Sequence, residues 1–131
     1  MTLFSKIIAG DIPCYKIAEN ELYFSFLDIF PATEGHTLVV PKIEVDRLFD
    51  LPTHYLADML VFAQPIAKAI QQAFPCDRVN ILTLGFEVPH THLHLLPMNT
   101  MADAALMEHK QAATPEALAA AQQKITSFLH A

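Results

Sequence analysis

P-H-T-H-L-H-L-L-P, residues 89–97, packs three of the chain's seven histidines into five positions. Successive side chains of a β-strand point to opposite faces, so this spacing sets His90, His92 and His94 on one side and Thr91, Leu93 and Leu95 on the other. One face is chemical and the other is core. Among side chains histidine titrates nearest neutral pH, and its imidazole can attack phosphorus, carry protons or bind a metal. Three readings follow: a polar row on the exposed face of an antiparallel sheet, a three-histidine metal site of the kind zinc takes, or nucleophilic and acid-base catalysis. A solvated row accounts for one histidine and poorly for three, so catalysis leads.

Working outward, residues 79–84 and 91–96 read as strands, and so do residues 15–18 and 22–29, joined as a hairpin by the polar turn Glu19-Asn20-Glu21. The run H-T-L-V-V-P, residues 36–41, follows the turn around Gly35 as a further strand, which Pro41 ends or marks as an edge. T-L-F-S-K-I-I-A-G offers a Thr2 cap, apolar Leu3, Phe4, Ile7 and Ile8, and Gly10 as a stop, the pattern of a short amphipathic helix. From Asp50 the period changes: Leu56, Met59, Leu60, Ala63, Ile66, Ala67, Ile70 and Phe74 form one stripe of a long helix. Asp50 is positioned to cap it, Pro52 suits its first turn, Pro65 should kink it and Pro75 stops it. Thr114-Pro115-Glu116 opens a last helix with Leu118, Ala121, Ile125 and Phe128 on one face, a packing helix. Runs of strands rather than strict βαβ alternation predict an α+β fold with an antiparallel sheet of about five strands, one long helix and a C-terminal helix.

At 131 residues and 53% hydrophobic, the chain suffices for one domain over residues 1–131 with a real core. No long apolar run or leader pattern appears, and Cys14 and Cys76 stand far apart without a C-x-x-C, so a cytoplasmic protein with reduced thiols and no membrane contact is expected. A net charge of −6 with only two arginines, Arg47 and Arg78, disfavours DNA or RNA. A single small phosphate is different, since imidazoles and backbone amides can hold it locally. No Gly-rich phosphate loop occurs.

Read together, F-L-D-I-F-P-A-T-E-G-H-T-L-V-V-P-K, residues 26–42, and V-P-H-T-H-L-H-L-L-P, residues 88–97, resemble the histidine triad (HIT) family of nucleotide-binding proteins. The resemblance begins with L-F-S-K-I-I-A-G-D-I-P-C-Y-K-I and covers roughly residues 3–97, leaving residues 98–131 as a C-terminal helical extension. A metal-site protein would have no reason to carry the G-H-T-L-V-V-P-K segment, and neither a metal nor a cofactor is expected. The resemblance implies a HIT-like fold and a nucleotidyl transferase or hydrolase acting at the α-phosphate of a nucleoside phosphate derivative, with an AMP-like purine nucleotide as substrate. Its nucleophile falls on His92, with His90, His94 and His36 as phosphate and proton partners; along a strand His90 and His94 each lie about 7 Å from His92. Asp28 matches the acidic residue that accepts the ribose hydroxyls, although a turn-initiating Asp before Pro31 has the same appearance. Leu3, Phe4, Ile7, Phe26 and Ile29 resemble the apolar wall around the base, and core packing explains them equally well.

In the segment N-I-L-T-L-G-F-E-V-P-H, the family's pattern is kept at Asn80, Gly85, Glu87 and Val88, of which Asn80, Glu87 and Val88 join the expected nucleotide site. Phe86 replaces the family's Gln, the loop is apolar where the family's is Gly-rich, and Met98 stands where an Arg often follows the final Pro. Nucleotide binding is therefore safer than any specific turnover; a binding module with weak or lost catalysis is the first alternative and a metal-dependent enzyme using the three-histidine cluster the second. Glu87 serves as a general acid only if it is buried beside Phe86 and Val88; a solvated carboxylate is the ordinary case. Family members often pair through the long helix and a strand, and Val61 and Phe62 add apolar surface beside the inward stripe, so a homodimer is expected.

Overall fold

A computed structural model describes residues 1–129 of the chain; residues 130–131 of the expected C-terminal extension lie outside it. The first turn is set by Thr2, whose hydroxyl accepts the Ser5 amide at 3.1 Å and opens helix α1, Leu3–Ala9, while Gly10 closes it at φ +87°. Phe4 and Ile7 face inward from α1. Strands β1, Lys16–Glu19, and β2, Tyr23–Leu27, form the expected hairpin, its turn held by Asn20 Oδ1 accepting the amides of Leu22 and Tyr23 at 2.9 Å each.

Strand β3, Thr37–Pro41, follows Gly35, which sits at φ +96° where a Cβ would stand 2.7 Å from a ring carbon of Phe74. Glycine is required there by both backbone angle and space. Strands β4, Arg78–Leu82, and β5, Leu93–Met98, complete an antiparallel sheet of order β1-β2-β3-β5-β4. Pro41 thus ends a strand in the middle of the sheet rather than marking an edge. The histidine row is strand only from Leu93 onward, because Thr91 turns away to bond the Val45 carbonyl with both its amide and its hydroxyl, each at 2.7 Å.

The two sheet faces divide as the alternation predicts. Leu93 and Leu95 join Tyr23, Leu27 and Val39 in the core under helices α2, Thr53–Ala73, and α3, Pro115–Leu129, whereas Phe24, Phe26, Leu38 and Val40 meet Phe4 and Ile7 of α1 on the other side. Leu118, Ala121 and Ile125 of α3 share the first core with Ile66 and Ile70 of α2, and truncating one of these leucine or isoleucine side chains to Ala costs about 2–5 kcal/mol. Phe128 stays more open, at 38% exposure.

Helix α2 differs from expectation in two respects. Asp50 does not cap it: Asp50 ends a separate 3-10 turn, Leu48–Asp50, and Pro52 occupies the cap position with no side-chain bond. Pro65 lies inside the helix. Leu60 faces outward with Val61, at 59% and 65% exposure, whereas Phe62 turns inward with its ring 5.3 Å from that of Tyr23; Ala69 and Ala73 complete the buried stripe. Among the described residues no helix is long and apolar enough to cross a membrane. A 3-10 segment, Met101–Glu108, links β5 to α3.

Candidate active site

Each histidine is held by a different partner, and the partners determine which ring nitrogen carries the proton. His90 is fully buried, with Nε2 2.9 Å from the Pro41 carbonyl and Nδ1 2.7 Å from the Thr2 hydroxyl. A carbonyl only accepts, so His90 donates from Nε2 and receives at Nδ1. His92 places Nδ1 2.7 Å from the carbonyl of His90. Its proton is therefore on Nδ1, and Nε2 keeps a lone pair.

His36 receives the Ala32 amide at Nδ1, 3.0 Å away, so its proton lies on Nε2, which donates across 2.9 Å to Nδ1 of His94. His94 must then carry its own proton on Nε2. One backbone amide thus sets two tautomers in series.

Burial keeps these rings neutral. It pushes His36 down to about 4, with Asp28 opposing and Lys110 adding to the fall; it takes His94 to about 3, helped by His36, His92 and Lys110. His92 is also lowered, chiefly by burial, although its bond to the His90 carbonyl acts in the opposite sense. The 3.6 Å approach of Asp28 to His36 is accordingly no ion pair at neutral pH.

A cavity of about 250 Å³ opens on His92 and His94. Leu3, Phe4 and Ile7 of α1 line one side, with Phe26, Ile29 and Val88 beyond, so all the residues expected to form the apolar wall meet there. Phe4 also braces the histidines edge-on, its ring centroid 5.0 Å from His92 and 5.7 Å from His90. Asp28 lines the cavity and makes the turn as well: Oδ1 accepts the Phe30 amide at 2.8 Å.

Three expected residues are placed otherwise. His90 and His36 do not line the cavity: both are buried with both ring nitrogens engaged, His36 bonded to His94 and the His90 carbonyl to His92. Asn80, on β4, gives its amide to the Met98 sulfur at 3.3 Å and stands outside the cavity. Glu87 does line it, but its side chain is 76% exposed, so the burial that an acid role requires is missing.

Lys110 is a site residue that no sequence pattern marked. Its ammonium lies 3.2 Å from Asp28 Oδ2 and its side chain is 13% exposed. A second cavity of about 270 Å³, bounded by Leu84, Phe86, Met107 and Glu108, shares His92, His94, Glu87 and Lys110 with the first. The triad histidines do not converge on one point, which removes the geometry of a three-histidine metal site. Among the described residues the convergent ligand atoms, within 4.8 Å of one another, belong instead to Asp28, His36 and His94. There the His36–His94 hydrogen bond and the Lys110 ammonium already engage them.

The HIT domain family matches residues 9–101. The adenosine 5'-monophosphoramidase of Saccharomyces cerevisiae is 40% identical over 100 residues, which span 72% of this chain and 61% of the yeast protein. The adenylylsulfatase of Arabidopsis thaliana is 34% identical over 100 residues, 72% of this chain and 51% of its own. In structure, a Hit-like protein involved in cell-cycle regulation from Bartonella henselae superimposes with a TM-score of 0.82 at 30% identity, covering 97% of this chain and 95% of its own. Lys110 falls beyond the matched residues, whereas the triad and His36 fall within them. The chain belongs to the HIT domain family.

Proposed function

We propose that this protein is a nucleotide phosphohydrolase that attacks the α-phosphate of an adenosine-type nucleoside phosphate derivative through a covalent intermediate on His92. The observation that carries the reading is the tautomer of His92: Nδ1–H is anchored on the His90 carbonyl, which leaves the Nε2 lone pair for the cavity. Nε2 forms a bond to phosphorus as the bond from phosphorus to the leaving group breaks, and the leaving group departs with that electron pair, taking a proton from water where it is basic. His94 Nε2–H donates to a phosphoryl oxygen throughout. Water then displaces His92, the nucleoside monophosphate leaves, and the released proton passes to solvent. The apolar wall of Leu3, Phe4, Ile7, Phe26, Ile29 and Val88 suits a purine, and Asp28 Oδ2 suits ribose hydroxyls.

The two named relatives support an adenosine-derived group as the part retained and differ in the group split from it, an amine for one and sulfate for the other. The experiment is to quench the reaction with a labelled nucleoside phosphoramidate and locate acid-labile nucleotidyl label by mass spectrometry. Label on His92 is expected; label on any other residue overturns the mechanism. A binding module with little turnover is the second reading, favoured by Phe86, 95% exposed where the family has a polar Gln, and by Met98, buried in β5 where the family often has Arg. AMP binding by calorimetry without release of product from the phosphoramidate would establish it.

The reading includes one domain that pairs as a homodimer, supported by exposed Leu60 and Val61 on α2 and Ile81 on the edge strand β4. A monomeric mass by light scattering at micromolar concentration would refute the pairing. Both cysteines are free thiols, in keeping with a reducing cytoplasm.

A further inference from the structure

Between the two cavities that meet at His92 and His94, Lys110 is the single cation among the described residues lining either. It is delivered deliberately by the chain beyond β5. Asp103 Oδ2 accepts the amides of Asn99 and Thr100 at 2.7 and 3.1 Å and fixes the start of the 3-10 segment, while the Ala113 amide donates to the Ile29 carbonyl at 3.1 Å and returns the segment to the cavity rim. The stem between these ties is closed over, leaving the ammonium 3.2 Å from Asp28 and 3.9 Å from Glu87. Only the first is within hydrogen-bonding distance, so two of its three donors remain for a ligand.

The site otherwise opposes an anion. Its histidines are neutral, Asp28 and Glu87 are carboxylates, the loop before the triad presents Leu84 and Phe86, and the whole chain carries −6. We propose that Lys110 is a phosphate-binding residue of this site, holding the α-phosphate of the nucleotide where the two cavities meet while Asp28 takes the ribose. This rests on the reading of the site as a nucleotide site, and it adds a residue that lies outside the segment matched by the family.

The assignment separates phosphate recognition from nucleoside recognition, and calorimetry with adenosine monophosphate and adenosine reads the two apart. Lys110→Met in the full chain should weaken AMP binding by about tenfold or more, the scale of one charge-assisted bond to phosphate. Adenosine binding should change less than about twofold, and Lys110→Arg should restore most of the AMP affinity. Equal loss of both ligands would mean that Lys110 only ties its segment to Asp28, and unchanged AMP binding would mean that the ammonium does not meet the phosphate; either result overturns the assignment. Lys110→Gln provides the same comparison where the Met variant fails to fold. A parent protein that binds neither ligand refutes the nucleotide site itself, and the assignment of Lys110 falls with it.

Discussion

Acidification from pH 7 to pH 5 should remove about 4 kcal/mol of folding stability, and the loss should come mainly from His36 and His94. Both rings are buried and neutral in the folded chain, with values held near 4 and near 3. In the unfolded chain each returns to the usual imidazole value near 6.5. As pH falls below that value the unfolded state takes up a proton at each position and the folded state does not. Stability fully present above pH 6.5 is thus lost progressively, completing near 4 for His36 and near 3 for His94. At pH 5 the shortfall is about 1.5 units for each ring, or about 2 kcal/mol apiece. His92 adds to the loss in the same direction.

That amount is a large share of a typical total of roughly 5–15 kcal/mol. Carboxylates do not confuse the interval: Glu19, held down to about 2 by its bonds to Lys16 and Lys42, gives up its contribution well below pH 5. The assay is urea unfolding followed by far-ultraviolet circular dichroism at pH 7 and pH 5. The midpoint should fall with an unchanged slope, and His94→Gln should remove about 2 kcal/mol of the difference between the two pH values. Coincident midpoints at the two pH values, or a His94→Gln protein with the parent's pH dependence, would refute the claim that burial holds these rings neutral.

His92→Asn should keep the fold and nucleotide binding but lose turnover by several orders of magnitude, because the amide cannot form the bond to phosphorus; parental rates in a steady-state assay would remove His92 from the mechanism. Gly35→Ala should lower stability by roughly 1–3 kcal/mol, since the new Cβ meets the Phe74 ring at a backbone angle that side chains resist; a melting temperature equal to the parent's would contradict this. Glu87→Gln should leave rates on both an activated and an amine leaving group near the parent's, as its side chain is 76% exposed and points no buried group at the leaving group; slowing confined to the amine substrate would restore Glu87 as an acid.

The fold was legible wherever one period ruled a segment. Alternation in residues 89–97 separated Leu93 and Leu95 from the imidazoles correctly, and the turn chemistry of Asn20, Gly10 and Gly35 placed the hairpin, the end of α1 and the entry to β3. Helical period alone misassigned Leu60 and Phe62, because neighbouring positions on a wide apolar stripe are separated only by the tilt of α2 on the sheet. Asp50 failed as a cap because a separate 3-10 turn intervened, something local propensity does not reveal. In the site, spacing brought the histidines together but could not rank them. The ranking comes from Pro41, Thr2 and Ala32, distant partners that engage His90 and His36 and leave His92 and His94 facing the cavity. Lys110 lay within a stretch of alanines and polar residues without any pattern, and only the path of the chain after β5 carries it to Asp28.

The site has to satisfy two electrostatic demands that conflict. A histidine nucleophile must be neutral, which favours a buried position, while the phosphate it attacks carries negative charge, which burial makes costly. Protonating the neighbouring imidazoles would serve the phosphate and would also raise the chance of protonating His92. An ammonium at Lys110 meets both demands, since its positive charge disfavours protons on His36, His92 and His94 and attracts an anion to the same place. The hydrogen-bond chain from the Ala32 amide through His36 then aims a neutral N–H of His94 at the cavity, adding a hydrogen bond without adding a charge. Neutral rings for chemistry and one fixed cation for binding are therefore separate devices, built from separate parts of the chain, and substituting either should leave the other measurable.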